Sequence, residues 1–126
     1  MKSTLCGVFA GLLAAVVVVN VAHADDGAKG EKVFRKCKTC HTVEKDGKNK
    51  VGPNLFGVVG RKAGAVEGFK YSSAMAESGL IWDESTLDKF LEKPKDVVNK
   101  TKMVFPGLRK EDERADVIAY LKQHGS

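Results

Sequence analysis

Cysteine is scarce in this chain: there are three among 126 residues, and one of them, Cys6, lies beside an apolar run near the start. Proline is equally rare, tryptophan occurs once, and tyrosine twice. No apolar stretch reaches the roughly 20 residues that cross a bilayer comfortably. There is no internal repeat, no low-complexity tract and no linker that would divide the chain. Each absence excludes something. Two thiols beyond Cys6 cannot build the disulfide framework of a small exported domain. A structural zinc site needs four ligands, and no second cysteine pair exists to complete one. The net charge of +5 is modest and well mixed with acid, which argues against a nucleic-acid binder and fits contact with acidic protein surfaces.

The first residues read as an address. Lys2 gives a positive start, Leu5 to Val19 is almost wholly apolar or small, and Ala22-His23-Ala24 supplies a small-x-small cleavage pattern. Residues 1–24 are therefore expected to be a cleavable secretory signal, with an uncleaved anchor as the alternative. Residues 25–126 are expected to form a single exported domain. A domain that small gains only marginal stability from a bare apolar core, so a covalent or metal staple is plausible.

The periodicity of that domain is helical. Gly30, Val33, Phe34 and Cys37 fall at i, i+3, i+4 and i+7, which predicts a helix over 27–37. Tyr71 to Ser78 predicts a short helix stopped at Gly79. Ser85 or Thr86 is the expected cap of another, which runs through Leu87, Phe90 and Leu91 and ends before Pro94. Glu111, Asp112 and Glu113 favour the start of a last helix, with Val117, Ile118 and Leu121 as its buried stripe. Between them, residues 46–70 are rich in Gly, Lys and Asn and lack strand periodicity. A loop-rich stretch of that length needs something to wrap around.

The chemistry is concentrated in Cys37-Lys38-Thr39-Cys40-His41. Two thiols on one helical turn can add across the two vinyl groups of a haem, while the next residue offers its imidazole to the iron. A thioredoxin-like pair would need a βαβ setting that the flanking pattern does not provide. His41 then serves as one axial ligand, and its other ring nitrogen needs an acceptor to fix the tautomer. A carbonyl in the Gly52-Pro53 turn is a reasonable acceptor. Met75, Met103 and His124 all remain possible ligands on the opposite face. Met103 lies in an apolar island within a basic loop, where packing under the loop is the competing explanation. A filled sixth position suits electron transfer, whereas an open one suits gas binding or peroxide reduction.

A longer series of motifs resembles the class I cytochrome c family, on the side of its bacterial cytochrome c2 members. Gly30, Phe34, the Cys37–His41 segment, Val51-Gly52-Pro53-Asn54-Leu55 and Gly60-Arg61-Lys62 carry the first half. Gly68-Phe69-Lys70-Tyr71, Leu80-Ile81-Trp82, Leu91-Glu92-Lys93-Pro94, Thr101-Lys102-Met103 and Ile118-Ala119-Tyr120-Leu121 carry the second. The resemblance implies an all-α fold, with three to five helices and long loops around one covalently bound haem c. It implies His41 and Met103 as axial iron ligands and Pro53 behind His41. It also implies that Tyr71 and Trp82 donate to a haem propionate, with Arg61 as a nearby compensating charge.

The implied role is that of a soluble, monomeric one-electron carrier and not an enzyme. Its partners would be acidic surfaces of redox proteins such as a cytochrome bc1 complex, a terminal oxidase or a photosynthetic reaction centre. The alternative is a haem protein with a labile sixth site that binds gas or reduces peroxide. Two departures from the family pattern bear on Met103. Asn99-Lys100 stands where the family usually has Pro-Gly, and Phe90 stands where it often has tyrosine. Lys36, Lys38, Lys50, Lys95, Lys100 and Lys102 flank the two ligand segments and are expected to form a steering ring.

Overall fold

A computed structural model describes residues 3, 7, 8, 10–17 and 24–125, with the side chains of 24–26 excepted. Half of the expected leader, including Cys6 and Ala22-His23, lies outside the described residues. Five helices account for nearly all the regular structure described: α1 (Ala24–Phe34), α2 (Ser73–Ala76), α3 (Glu84–Glu92), α4 (Pro94–Val97) and α5 (Glu111–Gln123). The only extended pairing among the described residues is an isolated bridge between Lys62 and Ile81. No described helix is long and apolar enough to cross a membrane.

The domain is closed by its two ends. α1 packs on α5, and a Cβ added at Gly30 would lie 2.5 Å from the Tyr120 Cβ, so the helices meet as closely as they do only because Gly30 has no side chain. One turn further on, the Phe34 and Tyr120 rings lie 5.3 Å apart, and Phe34 and Val117 are each 1% exposed. Burying side chains of this size contributes about 1.5–3 kcal/mol each. α3 joins α5 from the other side through Leu87, Phe90 and Leu91, and the Trp82 ring packs on Phe90 at 4.8 Å.

Helix limits differ from the sequence expectation in several places: α1 begins at Ala24 instead of Gly27, and α2 covers only Ser73–Ala76 of the expected 71–78, where Ser72 is the cap and its side chain accepts the Met75 N–H. The cap of α3 is Asp83, not Ser85 or Thr86: its extended backbone (φ −70°, ψ 167°) lets its carboxylate accept the Thr86 N–H at 2.7 Å. Thr86 already lies inside the first turn, where its amide is one of the unpaired donors that a cap satisfies. Pro94 ends α3 as expected but also opens α4, since a proline at the first helical position loses no hydrogen bond. Finally, α1 stops at Phe34, and the chain continues in tight turns through the cysteine segment. Cys37 N–H donates to Phe34 O at 2.7 Å and His41 N–H to Cys37 O at 2.9 Å.

Residues 42–70 carry no helix and are held by scattered backbone hydrogen bonds together with side chains. Asn54 is the hub. Its amide nitrogen donates to Thr42 Oγ1 (2.8 Å) and Glu44 O (3.0 Å), its backbone N–H donates to Asn49 Oδ1 (2.9 Å), and its Oδ1 accepts from Phe56 N–H (3.1 Å).

Candidate functional site

The turns after α1 place Cys37 and Cys40 half-buried, on the wall of one cavity of about 260 Å³. His41, Met75, Met103, Pro53, Arg61, Tyr71 and Trp82 line the same cavity. Most of the remaining wall is apolar: Phe34, Leu55, Val58, Leu87, Phe90, Leu91, Val117 and Leu121. Every helix except α4 therefore contributes to one concave surface. His124, the third possible ligand in the sequence, is not on that wall; its Nδ1 lies 2.9 Å from Tyr120 O.

His41 is fixed from two sides. Its Nδ1 meets Pro53 O at 2.7 Å, so this nitrogen carries the proton and Nε2 is left with its lone pair. Proline suits that position because its carbonyl accepts while its nitrogen has no proton to offer. Behind the ring, a Cβ added at Gly52 would come within 2.7 Å of both imidazole nitrogens. Burial, with lesser contributions from Lys50 and Arg61, holds the imidazole below its ordinary pKa against the opposing pull of the Pro53 bond. His41 is thus neutral at physiological pH, the form that ligates metals.

No disulfide joins Cys37 and Cys40, and burial pushes the Cys37 thiol, before anything is attached to it, up to about 11, with Lys36 opposing and Cys40 adding to the shift. Cys37 stays protonated near neutral pH, which makes it a poor spontaneous nucleophile. Arg61 is half-buried. It donates from Nη1 to Phe56 O (3.1 Å) and from Nη2 to Asn54 O (3.2 Å), and no carboxylate pairs with it among the described residues. Tyr71 accepts the Val66 N–H at 3.0 Å, which leaves its own O–H to donate. A cationic, donor-bearing section in an otherwise apolar cavity fits a flat hydrophobic ligand carrying carboxylates. A haem is such a ligand, and the thiols, imidazole and thioether on the same wall supply its attachment and iron-binding chemistry.

The structure also shows contacts that the sequence did not suggest. Lys50 Nζ donates to Lys38 O at 2.7 Å, so this lysine of the expected ring staples the 42–54 loop to the cysteine segment. Lys102 Nζ reaches Lys70 O at 3.3 Å, and Lys36 lies 3.6 Å from Glu113. All six ring lysines are exposed. Two apolar residues of the cavity wall, Val51 (79% exposed) and Val104 (97%), also face solvent.

Comparison with known proteins agrees with this site. The sequence model of the family described as Cytochrome c matches residues 27–125. The cytochrome c2 of Rhodomicrobium vannielii is 59% identical over 103 residues, covering 81% of this chain and 82% of that protein. The cytochrome c-554 of Methylosinus trichosporium is 44% identical over 127 residues, covering 100% and 96%. Among solved structures, cytochrome cH from Methylobacterium extorquens superposes with a TM-score of 0.73 at 50% identity, covering 78% of this chain and 98% of that one. The chain belongs to the cytochrome c family, as a class I c-type cytochrome that carries one covalently attached haem c and transfers electrons instead of catalysing a reaction.

Proposed function

We propose that this protein is a soluble periplasmic one-electron carrier whose haem is bound through Cys37 and Cys40 and ligated by His41 and Met103. The observation that carries the reading is the shared wall: both thiols, the neutral imidazole and the Met103 thioether line one apolar cavity. The haem supplies an iron that gains and loses a single electron. Around it, the apolar wall withholds dielectric screening and so disfavours the more positive oxidation state, and a thioether ligand acts in the same direction. Pro53 O and Gly52 keep the His41 ring in one orientation, which limits rearrangement between the two states. Tyr71 and Trp82 are assigned as donors to a propionate, with Arg61 as the compensating cation.

Residues 1–24 are assigned as a removable export signal and 25–126 as the mature domain, a monomer in the periplasm of a Gram-negative bacterium. Exposed Val51 and Val104 amid Lys36, Lys38, Lys95, Lys100 and Lys102 suit docking to acidic surfaces such as those of a cytochrome bc1 complex, a terminal oxidase or a photosynthetic reaction centre. Encounter rates with such a partner are expected to fall steeply with ionic strength; a flat response rejects steering by this ring.

The deciding experiment is the optical spectrum of the matured protein, ferric and then reduced, with and without carbon monoxide. A weak red ferric methionine–iron band and no carbon monoxide shift are expected. A missing red band with an immediate shift would remove Met103 from the iron and make gas binding or peroxide reduction the leading reading.

A further inference from the structure

Arg114 is the one charged residue buried in the described core, at 6% exposure. Nothing in the electron-transfer site uses it, since neither it nor its partners line the cavity. A guanidinium removed from water is costly unless its donors are satisfied, so its contacts indicate what the cost secures. Nε donates to Asp88 Oδ1 at 2.7 Å, and Nη1 donates to Leu108 O at 2.9 Å and to Arg109 O at 3.0 Å. Asp88 belongs to α3, Arg114 to α5, and Leu108 and Arg109 to the stretch where the Met103 loop returns to the body of the protein.

The same stem is pinned once more from α3, where Leu91 O accepts the Leu108 N–H at 2.7 Å. The other stem is weaker by comparison. Thr101 N–H donates to Val98 O at 3.1 Å, Lys100 between them has φ +64°, and Met103 N–H reaches only Thr101 Oγ1 at 3.3 Å. Leu108 and, on the other stem, Val98 are each 3% exposed, and Val98 N–H donates to Pro94 O at 2.9 Å, while beyond Val98 the exposed Lys102 reaches Lys70 O at 3.3 Å. Both stems are rooted in buried residues, but only the returning one is also gripped by a buried charged side chain.

From this asymmetry we infer that Arg114, aligned by Asp88, is a positioning residue for Met103: it fixes the returning stem of the loop and thereby sets how often the thioether leaves the cavity. The inference rests on Met103 being the sixth ligand. A charge-assisted bond is stronger than a neutral one, and Arg114 spends its bonds on backbone carbonyls of a loop, which apolar packing could not grip in the same way.

The test uses the matured full chain with three variants. Asp88→Asn leaves the guanidinium and both carbonyl bonds but removes the aligning charge. Arg114→Lys keeps the charge but loses the fork that spans two carbonyls and the carboxylate. Val33→Ala destabilises the core from α1 without lining the cavity or touching the stem. Two quantities are read: ferric affinity for added imidazole, which enters only when Met103 leaves, and exchange protection of the Leu108 amide relative to that of Leu55. The first two variants should raise imidazole affinity about tenfold, the equivalent of one lost hydrogen bond, and lower Leu108 protection selectively. Val33→Ala should do neither. Equal effects in all three variants, or none in the first two, would reduce Arg114 to a general stabiliser and overturn the inference. Failure of the ligand assignment looks different: the unmutated protein would lack the red ferric band, while the Leu108 comparison would still decide whether the clamp exists.

Discussion

Replacing Lys100 by glycine should stabilise this protein, although it removes a side chain and adds no contact. Lys100 holds φ at +64°, in the left-handed region, where the Cβ of an ordinary L-residue crowds the following carbonyl oxygen at a cost of about 1–2 kcal/mol. Among the described residues Asp46 is the other non-glycine residue in that region (φ 59°), but aspartate tolerates it through local hydrogen bonds that lysine cannot make. Glycine recovers the steric cost but loses about 0.4–1 kcal/mol through its greater freedom in the unfolded chain. The net gain is about 0.5–1 kcal/mol. For a domain of this size each kcal/mol shifts the midpoint by about 4–8 °C, so Lys100→Gly should melt about 2–8 °C higher. Thermal and guanidinium denaturation of the matured protein measure it. Lys100→Ala keeps the Cβ and serves as the control; it should not stabilise. A midpoint for Lys100→Gly at or below that of the parent would refute the steric argument and mean that the Lys100 side chain earns more in place than its backbone strain costs.

Two further perturbations probe the histidine side and the helix caps. Gly52→Ala drives a methyl group into the His41 ring, so either the ring or the turn must move. Overpacking of this kind costs about 1–3 kcal/mol, and the histidine ring proton resonances should shift along with the stability; an unchanged His41 environment would show that the turn absorbs the methyl. Asp83 has its carboxyl held below the ordinary value of 3.8 by the Thr86 hydrogen bonds. Its contribution is therefore full above about pH 3.8 and is lost as pH falls through the lower folded value. Urea unfolding of Asp83→Ala should show a deficit at neutral pH that closes in acid, and a pH-independent deficit would reject the cap as its source.

How much of this was legible beforehand depends on how local each feature is. The cysteine segment, the last helix and the turn at Gly52-Pro53 are encoded in contiguous residues, and their chemistry follows from spacing alone. The Pro53 acceptor could be anticipated because only one partner in that turn lacks a proton to donate. Asp83 is not legible as the cap because a cap sits outside the run it serves, and serine and threonine inside the run offer an equally plausible signal. α4 was invisible for a related reason: the proline that ends one helix is also suited to begin the next. Arg114 and Asp88 could not be paired from sequence, since 26 positions separate them and nothing local distinguishes a buried arginine on α5 from a solvated one. Lys50 shows the same limit: counting charges placed it among the docking lysines, while folding turned its amine onto the Lys38 carbonyl.

The pairing of α1 with α5 also has a consequence in time. The first helix cannot bury Phe34 until Tyr120 and Val117 exist to receive it, and these lie at the far end of the chain. Bringing contacts so distant in sequence together carries a large loop-closure cost and slows folding. Cys37 and Cys40 lie in the turns directly after Phe34, so they are set in their folded places only once the two ends of the domain have met.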